Sequence, residues 1–454
     1  MNLTEKDKKY VWHPFTSFGN AMPNLPIHSA KGVYLYSDDN RAILDAISSW
    51  WVNIHGHSHP YLADAITKQA NTLEHVIFAG FTHTPAVTLA ERLLKILPSN
   101  QSKVFFSDNG STACEVAIKM ALQYFHNLGT PKRKIIALDG AYHGDTFGAM
   151  SVGARNAFSA PFSPFLFDVE VIDLPQCDTM NCCLGICTGT RENAPNCLNI
   201  KQIIEKFSEL IATGEVAAFM YEPIVQGAAG IRMYSPEILD KLLEIAQKND
   251  VICIADEVMT GFGRTGKLFA SEYMTQKPDI MCLSKGLTGG VMPLGVTTCT
   301  EKIVAAYYSS DVFKTFFHGH SFTANPLACS VANASLDLLL KAECMENINR
   351  ITQKHIDFEQ KIIKNIQNNK SNNKSNNIKN VRTLGTILAF EVNNDQKDSY
   401  FNTISADIYG FFLAKNILLR PLGNTIYIMP PYVITNEELD RIYDAIEELL
   451  SITN

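Results

Sequence analysis

The chain has 454 residues, 46% of them hydrophobic, and a formal net charge of −7. That is enough length and apolar content for a sizeable core and more than one domain. The acidic balance and the lack of a basic stripe argue against nucleic-acid or anionic-membrane partners and point to small-molecule chemistry. The N-terminal MNLTEKDKKYVWHPF lacks the apolar core and cleavage site of a secretory signal, and no long uncharged apolar run follows, so a cytoplasmic protein is expected. The count of 11 cysteines is odd, and those in apolar stretches, such as Cys253 and Cys282, read as small buried hydrophobes.

In chain order, Trp12 to Phe18 (WHPFTSF) is too apolar and aromatic for a free tail. KGVYLYSDDNRAILDAISSWW alternates apolar and polar residues on both sides of Asp38-Asp39-Asn40, which predicts a hairpin ending at Trp50 and Trp51. Paired tryptophans read first as core. His55, His57 and His59 alternate and on a strand would share one face. With no carboxylate at a useful spacing, they read as local packing and hydrogen bonding rather than a metal site. Apolar spacing then predicts a helix from Leu62 to Leu73. KVFFSDNGSTACEVAIKMALQYF reads as strand, tight turn and amphipathic helix. Asn109, Gly110 and Ser111 place backbone N–H groups and a hydroxyl at the helix N-terminus, either as an ordinary cap or as an anion site. KIIALDG predicts another strand, with Tyr142, His143, Gly144 and Asp145 in the loop beyond it.

Residues from about Pro175 to Asn199 read as a loop-like insertion holding Cys177, Cys182, Cys183, Cys187 and Cys197. Cys183 and Cys187 have a spacing that zinc accepts, but the second pair is poorly spaced and no histidine is near. Reduced thiols and no bound metal are expected. EVAAFMYEPIVQGAAG predicts a buried strand ending at Glu222, with Gln226, Gly227 and Ala228 beyond it. The β-branched runs Val251 to Ala255 and Ile280 to Leu283 predict buried parallel strands. Asp256 leaves the first and Lys285 leaves the second. In an open α/β sheet both would face one crevice at the strands' carboxyl ends. An amine able to act as a neutral nucleophile beside a carboxylate that stays ionised is what pyridoxal 5'-phosphate chemistry requires. From about Ser330 a long helix is predicted, and the polar, low-complexity Gln367 to Asn377 reads as a surface loop. Arg420, between an apolar strand and Pro421, offers a planar fork for a carboxylate.

These stretches together (GFGRTG after Asp256, GLTGG after Lys285, NGS-x-A-x-E-x-A, GAYHGDTFGAMSV, HGHSFTANPLAC and RPLGNTIYIMPPY) resemble the class III (ω-) aminotransferases over nearly the whole chain. The resemblance implies an α/β, fold-type I pyridoxal-phosphate-dependent transferase. Its large, mainly parallel-sheet cofactor domain would span 61–329, and a smaller α+β domain would come from both termini, 1–60 and 330–454. It implies Lys285 as Schiff-base nucleophile and proton carrier, Asp256 at the pyridine nitrogen, and Tyr142 and Val258 on the two ring faces. Gly110 and Ser111 would bind the phosphate. Gly319, His320 and Ser321 would reach the neighbouring subunit's cofactor in a homodimer, with Ser321 where threonine is usual and His320 where proline is common. SSWW next to HGHSHP resembles the biotin-pathway branch, which moves an amino group from S-adenosylmethionine to 8-amino-7-oxononanoate. In that branch the position of Trp50 lines the substrate pocket, Arg420 grips the substrate carboxylate, and WHPY stands where this chain has WHPF, so Phe15 lacks a hydroxyl. Ala228 replaces the glutamate found in relatives that use ornithine or γ-aminobutyrate. An ω-aminotransferase for another amine, including lysine as donor, an aminomutase on the same fold, and a non-enzymatic cofactor-binding relative are the alternatives.

Overall fold

The computed structural model describes residues 1–19, 23–174, 200–371, 378–393 and 402–452. The cysteine cluster between Cys177 and Cys197 lies outside them. At the centre is a seven-stranded sheet, whose strands are numbered here in chain order: β1 Gln101–Ser107, β2 Lys134–Leu138, β3 Glu170–Ile172, β4 Val216–Tyr221, β5 Ile252–Asp256, β6 Ile280–Leu283 and β7 Gly295–Thr300. Their spatial order is β1-β7-β6-β5-β4-β2-β3. Neighbours from β6 through β3 pair parallel, and β7 runs antiparallel to both β6 and β1. Every residue of β4 to β7 is buried, which is why β4 to β6 are apolar up to the terminal Asp256 and do not alternate. The helix Gly110–Asn127 packs across β7 and β6 and points its N-terminus at the carboxyl ends of the parallel strands.

Two smaller sheets come from the ends of the chain. The expected hairpin is present, with Tyr34 opposite Leu44 across the Asp38–Asn40 turn. Ile417–Leu418 adds to it in parallel, Ile417 pairing with Leu44, so both ends of the chain form one sheet. The strands Ile378–Leu384, Ile387–Val392 and Thr425–Ile428 form the other.

Three element boundaries differ from the sequence reading. The helix predicted over Leu62 to Leu73 spans Pro60–Ala70, entered through a cap from His59. The long helix expected from Ser330 is two helices, Pro326–Leu339 and Ala342–Ser371. The first packs on Pro60–Ala70 and Thr84–Ile96 and the second on the strand Ile378–Leu384. One straight rod could not reach both partners, and the chain turns at the exposed Leu340. The helix also runs to Ser371, into the stretch expected to be loop. Ile362, Ile363 and Ile366 keep one face against the core, and lysine and glutamine are good helix formers. Residues 372–377 lie outside the described part.

Candidate active site

Asp256 is the last residue of β5 and Lys285 lies two residues past β6, so adjacent parallel strands bring carboxylate and amine to one sheet edge. There they line a cavity of about 680 Å³ with Gly110, Ser111, Tyr142 and Val258. Six of the residues singled out in the sequence thus meet in one place. Asp256 is 4% exposed. Its Oδ1 accepts from the Val258 N–H at 3.0 Å and its Oδ2 from His143 Nδ1 at 2.7 Å. Burial by itself would push the His143 imidazole down, but the hydrogen bond and charge of Asp256 reverse this and hold it up at about 10. The carboxylate is therefore part of a buried ion pair, with a lone pair of Oδ1 left for the cavity.

Lys285 is the opposite case. Burial pushes its ammonium down, against the upward pull of Asp256 and Glu222. Its Nζ lies 4.6 Å from the centre of the Trp51 ring, and its backbone takes a positive φ of 43°. A lysine desolvated in this way reaches its neutral, nucleophilic form more readily than a solvated one.

At the other end of the cavity, Asn109 caps the helix Gly110–Asn127, its side chain accepting from the Thr112 N–H at 2.9 Å. Gly110 has no room for a side chain, since a Cβ there would lie 2.7 Å from Val258 Cγ1. Gly144 is similarly required, because a Cβ would strike the Ser111 hydroxyl. That hydroxyl pairs with Thr146 Oγ1 at 2.8 Å and accepts from the Thr146 N–H at 3.1 Å. Two glycines, two hydroxyls and a helix N-terminus facing a cavity make a cradle for a phosphate. Tyr142 is anchored from behind: its N–H donates to Glu222 Oε1 at 3.0 Å and its hydroxyl to Asp145 at 3.0 Å. Glu222 also accepts from the Gly227 N–H at 2.9 Å, and burial pushes its carboxyl up to about 7.

The remaining site residues fall in two further places. Trp51, not Trp50, lines the cavity; it is buried and donates to the Tyr427 hydroxyl at 3.0 Å. Trp50 is 39% exposed and forms a cluster with Phe15, at 5.5 Å ring to ring, and with Arg420, whose guanidinium lies 5.1 Å over its ring. Gly319, His320 and Ser321 are not among the cavity-lining residues. Gly319 and Ser321 are exposed, beside the exposed rings of Phe317 and Phe322. The three alternating histidines have separate partners: Ser335 for His55, Asp45 and Asn53 for His57, and the helix cap for His59.

Sequence reasoning missed the role of His143, since a histidine in a loop carries no signal of the buried carboxylate it pairs with. It passed over Glu222 for the same reason, because its partners are backbone N–H groups. Thr146 was legible only as part of a string.

The residues fit pyridoxal 5'-phosphate: a phosphate cradle, a buried carboxylate with a free lone pair, and a desolvated lysine line one cavity. Fold and site together define a fold-type I pyridoxal-phosphate-dependent aminotransferase. The family model for class-III aminotransferases matches residues 16–450, and the chain belongs to that family. It is 46% identical over 441 residues, 97% of this chain and 98% of the relative, to the adenosylmethionine-8-amino-7-oxononanoate aminotransferase of Synechococcus elongatus. The enzyme of that name from Methanocaldococcus jannaschii has a solved structure, 34% identical, with a TM-score of 0.84 and 98% of each chain covered. An ω-transaminase from Pseudomonas jessenii in complex with PMP is 26% identical, with a TM-score of 0.88 over 100% of this chain and 98% of that one.

Proposed function

We propose that the protein transfers an amino group from S-adenosylmethionine to 8-amino-7-oxononanoate, giving 7,8-diaminononanoate in biotin biosynthesis. The observation that carries this reading is the Phe15–Trp50–Arg420 cluster. An acceptor with a long apolar chain ending in a carboxylate is matched by an aromatic wall that holds a guanidinium in place. Ala228, lining the cavity, removes the glutamate that relatives using ornithine or γ-aminobutyrate carry. The names of the relatives from Synechococcus elongatus and Helicobacter pylori, the latter 35% identical, support the same reaction.

Pyridoxal phosphate, when bound, supplies an aldehyde for the amine and a ring that accepts electrons. In this reading Lys285 would hold the cofactor through its amine and would then serve as the base that takes up and returns a proton at its Nζ. Asp256, braced by His143, would face the ring nitrogen and help hold its proton. Tyr142 and Val258 flank the ring, and Gly110 and Ser111 hold the phosphate. Gly319, His320 and Ser321 serve the cavity of a second copy, which makes the protein a homodimer. The exposed Phe313, Phe317 and Phe322 around them support this as an apolar face that water would not favour. The reading also assigns residues 61–329 to cofactor binding and 1–60 with 330–454 to a smaller domain, and places the protein in the cytoplasm. Among the described residues no helix is long and apolar enough to cross a membrane.

The test is to incubate the purified, cofactor-loaded protein with 8-amino-7-oxononanoate and, separately, S-adenosylmethionine or lysine, and to detect the diamine by mass spectrometry. Diamine with S-adenosylmethionine is expected. Diamine with lysine alone, or none with either donor, overturns the assignment.

A further inference from the structure

The Asp256 carboxylate receives a donor beyond His143 and the backbone. Cys114, fully buried at the start of the second turn of the helix Gly110–Asn127, places its Sγ 3.5 Å from Asp256 Oδ2, the oxygen that also accepts from His143. Burial drives the Cys114 thiol far up, so it stays protonated and acts as a donor. The groups facing this carboxylate come from several elements: Cys114 from the helix, Tyr142 and His143 from the loop after β2, Glu222 from beyond β4, and Cys282 and Lys285 from β6 and its end. The polar atoms of Cys114, His143 and Asp256 lie within 4.8 Å of one another, and His143 Nε2 is buried without a partner. A change at Cys114 is therefore felt directly at Asp256.

We propose that Cys114 is a positioning residue for the proposed reaction: its S–H bond to Oδ2 helps keep Asp256 a carboxylate and leaves the shared proton on the ring nitrogen. The inference rests on the reading that Asp256 faces the ring nitrogen of pyridoxal phosphate. Each donor on a carboxylate stabilises its charge and lowers its affinity for a proton. A thiol donates weakly and a hydroxyl more strongly, so the residue type at 114 sets a graded pull. Valine, close to cysteine in size, removes the donor and lets Asp256 draw the proton toward itself. Serine supplies a better donor and does the reverse. A ring that keeps its proton is more electron-poor, and the pH midpoint of the bound cofactor's visible absorbance falls accordingly.

The experiment titrates that absorbance in the holoenzyme for the wild type, Cys114→Val and Cys114→Ser. Alongside, the ring-nitrogen NMR signal is read with ¹⁵N-labelled pyridoxal phosphate. Cys114→Val is expected to raise the midpoint and Cys114→Ser to lower it, each by about half a pH unit, the scale of one weak donor among several. The nitrogen signal should move toward its unprotonated value in the first and its protonated value in the second. A residue that only fills space gives shifts of the same sign in both variants, or none, and either result overturns the proposal. If Cys114→Val does not fold, Cys114→Ala takes its place with the same expected direction. Wild-type protein that forms no visible chromophore with pyridoxal phosphate overturns the parent reading itself, an outcome distinct from the other two.

Discussion

Replacing Asp256 by asparagine keeps the shape and removes the charge, and its consequences can be worked out atom by atom. The carboxylate accepts from the Val258 N–H through one oxygen and from His143 Nδ1 through the other. A carboxamide has one acceptor oxygen, so with that oxygen on the Val258 N–H it turns an N–H toward His143, which only a neutral imidazole can accept. His143 is held up from an ordinary 6.5 to about 10 by this carboxylate despite burial. The attraction across the pair therefore outweighs the desolvation that burial imposes on the imidazole. Without it the buried imidazole gives up its proton, and the cavity loses both the carboxylate and the cation behind it. A ring nitrogen facing a neutral amide holds its proton poorly, and the ring is then a weaker electron acceptor. Removing one preorganised electrostatic group typically costs on the order of 10²- to 10³-fold in rate. We expect that loss in the single-turnover reaction with the amino donor, followed by stopped-flow absorbance, while the protein still melts cooperatively and retains cofactor. Single-turnover rates within about twofold of the wild type would refute the reasoning, since an effect that small lies below anything charge removal predicts.

Lys285→Ala should fold but yield no borohydride-fixed cofactor adduct by mass spectrometry, because Lys285 is the lysine that lines the cavity among the described residues; an adduct retained in the variant contradicts its role. His355 is buried between the Tyr443 hydroxyl and the Thr386 carbonyl, and burial pushes its imidazole from 6.5 down to about 3. The folded state therefore refuses a proton that the unfolded chain binds, and stability is complete above pH 6.5 and is lost as pH falls below it. At pH 5 the loss attributable to His355 is roughly 2 kcal/mol. Urea denaturation should show it in the wild type and not in His355→Gln, and equal losses in both would exclude His355 as the cause. Arg420→Ala should raise the acceptor KM by about 10- to 100-fold, the range of a charge-assisted bond, and leave the donor half-reaction nearly unchanged. Phe15→Tyr should be neutral or improve turnover by no more than about tenfold. An unchanged acceptor KM in the first, or abolished turnover in the second, would mean a pocket built for another substrate.

The sequence was most legible where one residue type reports one requirement. Apolar runs ending in Asp256 and Lys285 could be placed at strand ends because buried parallel strands have a plain signature. The NGS turn was legible as a helix start, and the hairpin around Asp38–Asn40 by its alternation. Features that depend on contacts between distant segments were not legible. Nothing in YHGD announces that His143 will meet Asp256, 113 residues on. The order of Trp50 and Trp51 does not say that the second faces Lys285 while the first carries Arg420. The break at Leu340 was hidden because apolar spacing continues through it, and only the positions of two packing partners decide it.

Arg264 shows how these distant segments are tied to the site without entering it. It is fully buried, and burial pushes its guanidinium down from its ordinary value. Its charge is met by carbonyls and a ring. One arm donates to Pro430 O at 2.8 Å, another to Trp51 O at 3.3 Å, and the guanidinium lies 5.0 Å over Tyr432. From the other side, the Thr386 N–H donates to Arg264 O at 2.9 Å, which brings the turn of the three-stranded sheet against the same loop. That turn can approach only because Gly385 lacks a side chain, since a Cβ there would strike the Gly266 nitrogen and the Arg264 carbonyl. The loop after β5 therefore joins three parts of the chain: the N-terminal segment through Trp51, the hairpin at Thr386 and the C-terminal segment at Pro430. Trp51 stands beside Lys285, so the sheets built from the chain's ends help fix the surroundings of an amine that belongs to the central sheet. The cluster of Phe15, Trp50 and Arg420, which we propose binds the acceptor, is contributed by the same two ends of the chain. Asp256 and Lys285 thus stand at the ends of the parallel strands, and the cluster proposed to choose the substrate stands on the segments docked against them.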